Sequence, residues 1–186
     1  MSNALNDRGK SLEGAFFQQK DRELLERLRQ ESASEEKRIA LSKSSGITDN
    51  DLLHRLVELE IEPTTFVSFS LLPLVQVAWA DGTMQDSERE AILRAAEQAG
   101  VSKNSTSFEI LETWMEQSPS DELYSAWKAY ASTLKESLEA SQVSNLQSRI
   151  LGRAQEVAEA AGGFLGLGNK VSNEEATVLK ELSEAF

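Results

Sequence analysis

Asp81 and Glu88 stand on either side of one acidic turn, and Glu175 stands in a second near the C-terminus. Carboxylates at such elbows do one of two things. They give hard oxygen ligands to a divalent cation, calcium or magnesium, or they take up the unpaired N–H groups at the start of a helix. The first elbow reads Ala78-Trp79-Ala80-Asp81-Gly82, with Glu88 opening a fresh apolar-periodic run. Gly82, lacking a Cβ, is free to end the preceding helix at positive φ. A degraded copy follows far along the chain, where Ala158-Glu159-Ala160-Ala161-Gly162 leads through a glycine-rich insertion to Lys170-Val171-Ser172-Asn173-Glu174-Glu175. The pairing sets Gly82 beside Gly162 and Glu88 beside Glu175, and it puts Ala161 where a second aspartate would stand.

Both chemistries remain open at this level. Ser172-x-x-Glu175 fits a capping box, and Glu88 fits the same role with Gln85 or Asp86 as the cap. Calcium takes roughly six to eight oxygens, so three carboxylates would need backbone carbonyls or water to complete a shell. Asp81 to Asp86 is not an EF-hand loop, because glycine comes second and no acid occupies the third place.

Other chemistry finds little support. The segment Gly162 to Lys170 fails as a phosphate loop: Asn169 separates Gly168 from Lys170, and no apolar strand precedes the glycines. It reads instead as a tight loop whose Phe164, Leu165 and Leu167 plug the bundle or meet a partner. His54 has no second histidine or cysteine to share a metal with, and the chain has no cysteine at all. Disulfides, zinc sites and thiol nucleophiles are thereby excluded, and a cytoplasmic setting is favoured. The serines lack recognisable His/Asp partners, so the chain reads as non-enzymatic. Trp79, Trp114 and Trp127 sit at helical core spacing and read as packing.

Charge narrows the partners. The 186 residues carry a net charge of −12, and residues 1–43 hold nine Lys/Arg against eight Asp/Glu, leaving the excess acid on the remainder. An acidic body repels phosphate backbones and anionic lipid, which argues against nucleic acid and favours cations or basic protein surfaces. The greasiest window, Phe66 to Ala80, is broken by Ser68, Ser70, Pro73 and Gln76 and falls short of the ~20 residues of a membrane span. It reads as a buried helix, and no membrane insertion is expected. The N-terminus lacks the basic start and apolar run of a signal peptide.

The elements that must position the acids are helices. Residues 7–42 carry only a thin apolar stripe, so this helix projects or packs on a protein partner through Phe16, Phe17, Leu24, Leu25 and Leu28, with Ser32-Ala33-Ser34 as a break. Lys43-Ser44-Ser45-Gly46 reads as a linker, dividing a charged arm (1–43) from a bundle (47–186). Thr48 and Asp51 open a short helix, Pro63 starts the apolar one, and Pro73 kinks or divides it. Gly100 ends the helix after the first elbow, Ser118-Pro119 closes the next, and Ser120 caps another. A long helix over 143–161 and a last one from Ser172, burying Val178, Leu179 and Leu182, complete the set. The expected fold is all-α, an antiparallel bundle of seven to eight helices with a protruding N-terminal helix.

The run Leu74-Val75-Gln76-Val77-Ala78-Trp79-Ala80-Asp81-Gly82-Thr83-Met84-Gln85-Asp86-Ser87-Glu88 resembles the signature of TerB-like domains, the tellurite-resistance protein B superfamily. The resemblance covers about residues 64–186. It implies an all-helical fold with two related halves, elbow acids lying close together, and a divalent-cation role in stress or tellurite-type resistance. Carried over by position, it points to Asp81, Glu88 and Glu175, with Ala161 as the departure from the pattern. A shorter stretch, Asp7-Arg8-Gly9-Lys10-Ser11-Leu12-Glu13-Gly14-Ala15-Phe16-Phe17, is similar to the opening helix of the zeta inhibitor subunit of bacterial ATP synthases, over about residues 7–31. That similarity implies an arm that docks on and inhibits a partner such as a rotary ATPase.

Overall fold

Every regular element among the described residues is a helix, as the polar-apolar periodicity requires. The computed structural model describes residues 26–27, 30–161 and 171–186. Phe16, Phe17, Leu24 and Leu28, named above for partner docking, lie outside the described residues, as does the glycine-rich segment 162–170. The helices are α1 (30–45), α2 (Asn50–Glu58), α3 (Phe66–Ser70), α4 (Leu72–Ala78), α5 (Asp86–Gln98), α6 (Thr106–Glu116), α7 (Asp121–Ser137), α8 (Ala140–Ala161) and α9 (Asn173–Glu184).

Local chemistry sets most of these limits. Asp49, Ser105, Ser120 and Ser172 each accept a hydrogen bond from the third residue of the helix they precede, at 2.9 to 3.2 Å. The cap of α2 is therefore Asp49, one residue after the expected Thr48. Pro73 divides the apolar helix as its ring demands, with Leu71 between α3 and α4 and Pro73 in the first turn of α4. The turn from Pro63 delays α3 to Phe66. Ser32 to Ser34 do not break α1, which runs through them. Nor is Ser44-Ser45-Gly46 a loose tether. Both serine hydroxyls donate to the Leu41 carbonyl, at 3.1 and 2.7 Å, and the Gly46 N–H donates to Ser42 O at 2.9 Å, which closes the helix end.

Packing is organised about α4. All its residues except Gln76 are buried, so it is apolar around its whole circumference and must lie inside. Leu72 and Val77 face a cluster built from α2, α7, α8 and α9, where Trp127 stacks on Tyr124 and meets Phe186 edge-on. Leu74, Val75 and Ala78 face a second cluster, with Ile92 and Ala96 of α5 and Leu111 and Met115 of α6. Helix α8 contributes to both, Ala154 and Ala158 to the first and Val157 to the second. The outer half of α1 is mostly exposed and only its end enters the core, through Leu41. In α9, Leu182 is buried, and Val178 and Leu179 are half-buried. No helix among the described residues is long and apolar enough to cross a membrane.

Helix α5 closes with a Schellman motif. The Val101 N–H donates to Ala96 O at 2.9 Å and the Gly100 N–H to Glu97 O at 3.0 Å, which requires Gly100 at φ 84°. A Cβ at Gly100 would meet no atom within 4 Å, so backbone conformation alone penalises a substitution. Gly100→Ala is expected to lower stability by about 1 kcal/mol, read as a reduced urea midpoint. An unchanged midpoint would contradict this account of the helix end.

Candidate functional site

The first elbow is held by its backbone and by two long side chains. Helix α4 unwinds through bonds from Trp79 N, Ala80 N and Gly82 N to Val75 O, Val77 O and Trp79 O, and Gly82 turns the chain at φ 85°. Trp79 Nε1 donates to Trp114 O at 2.8 Å and Arg89 Nη2 donates to Met115 O at 2.9 Å. The elbow thus takes up carbonyls of the last turn of α6, which otherwise have no helical partner. Sequence reasoning missed Arg89 in this role; its signal was a cation one position beyond the expected cap glutamate. Asp81 is exposed, and one of its carboxylate oxygens accepts from both the Thr83 N–H and the Thr83 hydroxyl at 2.9 Å. This is an Asx turn that fixes the loop.

Glu88 then occupies the third position of α5, folds back, and accepts from the Gln85 N–H at 2.8 Å. Glu175 occupies the same position of α9. It accepts from the Ser172 N–H at 2.6 Å while the Ser172 hydroxyl accepts from the Glu175 N–H at 3.1 Å, completing a capping box. Both expected caps are present, with Gln85 rather than Asp86 serving α5.

Caps are ordinarily at the surface, and these two are not. Glu88 is 2% exposed and Glu175 4%. The two carboxyls are near enough for the charge of Glu175 to act on Glu88, with a smaller side-chain hydrogen-bonding contribution between them. Burial pushes the Glu88 carboxyl up from its ordinary value to about 7; the Gln85 N–H pulls it down, and the charges of Glu175 and Asp81 push it further up. Two neighbouring carboxylates in an apolar surround do not both stay ionised without a counter-charge. A proton on Glu88 relieves the conflict, while the Ser172 N–H holds the Glu175 carboxyl in place.

Of the three acids singled out in the sequence, the structure brings Glu88 and Glu175 together. Asp81 is near enough to act on Glu88 through its charge but remains in solvent. Among the described residues no three His, Cys, Asp or Glu side chains are grouped so as to hold a metal ion. The donors present are a pair of carboxyls with one oxygen each bound to a cap N–H. His54 is exposed and lies 3.7 Å from Glu58. Trp127 is packed in the core, while Trp79 and Trp114 are half-buried. Comparison with protein families, with curated proteins and with solved structures finds no match to this chain.

The sign of the pH effect follows from the geometry. The folded-state value of Glu88 is raised from 4.5 to about 7, so its contribution to stability is full below the unfolded value and is lost as pH rises through the folded one. The loss amounts to about 3 kcal/mol between pH 4 and pH 8. Other acids of this chain also respond to pH, so the comparison is with Glu88→Gln, which keeps the shape and does not ionise. The stability of the variant minus that of the wild type, from urea unfolding, is expected to grow by about 3 kcal/mol over that window. A difference that stays flat with pH would refute the assignment.

Proposed function

We propose that this chain is a non-enzymatic, TerB-like helical module whose two elbows form one divalent-cation-responsive carboxyl centre. The observation that carries the reading is the burial of Glu88 and Glu175 close to one another, each at the third position of its helix and each tied to its own cap. Equivalent positions in α5 and α9 support the view that α4–α5 and α8–α9 are related halves. The resemblance of residues 74–88 to the TerB signature supplies the family, and with it a cytoplasmic role in stress or tellurite-type resistance.

The residues suit a hard cation. All donors are oxygens, which favours calcium or magnesium over zinc. Glu88 and Glu175 each commit one oxygen to a cap N–H and keep the other for a ligand, and Asp81 adds negative charge at the rim. Two carboxyls leave most of the coordination shell to water and backbone carbonyls. A bound cation supplies the positive charge that a shared proton otherwise supplies. What the chain itself does is hold the two carboxyls fixed and largely buried, so that ionising the pair without such a charge is unfavourable.

Because the cation must displace a proton from a group that titrates near 7, binding strengthens as pH rises. Calorimetry with calcium and, separately, magnesium is expected to give saturable binding about tenfold tighter at pH 8 than at pH 6, abolished in Glu88→Gln/Glu175→Gln. Absence of binding below about 1 mM, or binding indifferent to the double substitution, would reject the cation reading and leave the pair as a proton-bridged clasp.

A further inference from the structure

A second feature lies away from the carboxyl pair. Residues 140–155, most of α8, contain no Asp or Glu although the chain as a whole carries a net charge of −12. Within that stretch Arg149 and Arg153 stand four apart and so share one helix face. Among the described residues neither makes a hydrogen bond or an ion pair. Arg149 is exposed and Arg153 half-buried, and no carboxylate among the described residues neutralises either.

They border a cleft of about 380 Å³ where α8 meets α3, α4 and the end of α5. Its floor is apolar: Leu71 and Leu74 are buried, and Val67, Leu146 and Ile150 are half-buried. No acidic residue lines it. Gln98, exposed at the end of α5, also lines it, and its side-chain amide has no partner among the described residues. A plain explanation would give the arginines to the carbonyls at the end of α5. The Schellman closure weakens that explanation, since Ala99 N, Val101 N and Gly100 N already take the Ala95, Ala96 and Glu97 carbonyls.

We propose that this cleft binds a small amphiphilic carboxylate, its apolar body on Leu74, Leu146 and Ile150 and its headgroup on the Arg149 and Arg153 guanidiniums. The planar fork of arginine matches a carboxylate with two parallel N–H donors. The apolar floor selects for a hydrocarbon body, and the volume suits one small molecule between helices of a bundle rather than the face of a partner helix. Gln98 offers a further donor at the rim. The proposal is independent of the cation centre, which shares no residue with the cleft.

The test uses sodium octanoate, octan-1-ol and sodium acetate with the 186-residue chain, followed by calorimetry and amide chemical shifts. Octanoate is expected to saturate, with shifts centred on α8 and the end of α5 and an affinity at least about tenfold above that of octan-1-ol, since the headgroup contact is charge-assisted. Acetate, lacking the apolar body, is expected not to saturate. Arg149→Gln/Arg153→Gln, with an unchanged circular dichroism spectrum, is expected to bring octanoate down to the level of the alcohol. Equal binding of acid and alcohol, full octanoate affinity in the double variant, or no saturation by octanoate would each overturn the proposal.

Discussion

Two carboxyl groups meeting inside a helical bundle set the central constraint on this structure. Glu88 and Glu175 come from distant parts of the chain, yet both are third residues of helices and both bend back onto the N–H of the residue before their helix. Capping alone would be satisfied at the surface. Placing both caps in the interior, against each other, makes charge neutralisation there a condition of the fold. Burial dominates the effect on Glu88, and the neighbouring acids add to it.

The rest of the molecule explains why the carboxyls cannot separate easily. Helices α5 and α9 each pack against α4 and α8. Helix α4 is buried on nearly every side and divides the apolar interior into two clusters. Moving either elbow outward would disturb that partition as well as the bonds from Trp79 and Arg89 to the end of α6. The scaffold therefore holds the pair at short range and leaves protonation of Glu88 as the available relief.

The helical class and the identity of the pair were legible because their signals are local. Ser172-x-x-Glu175 announces a capping box, Gly82 and Gly100 announce turns at positive φ, and Pro73 announces a division. What the sequence left open was direction. Asp81 read as an equal partner of the two glutamates, but its short side chain reaches its own turn first and takes the N–H and hydroxyl of Thr83. Ser44-Ser45-Gly46 has the composition of a linker, and the same serines close a helix by returning to Leu41 O. Thr48 and Asp49 are both good caps, and the choice between them rests on which residue lets Leu52 and Leu53 turn inward. Arg149 and Arg153 escaped notice because an arginine pair on a helix ordinarily reads as a solvated face. The acid-free stretch around them was visible, and the cleft beside them was not.

The most direct measurement is a ¹³C NMR titration of the Glu88 side-chain carboxyl in the metal-free 186-residue chain. A carboxyl buried beside the Glu175 charge should titrate with a midpoint near 7. A midpoint in the ordinary glutamate range near 4.5 would mean that Glu88 is solvated and apart from the other acids, and the carboxyl centre would have to be abandoned.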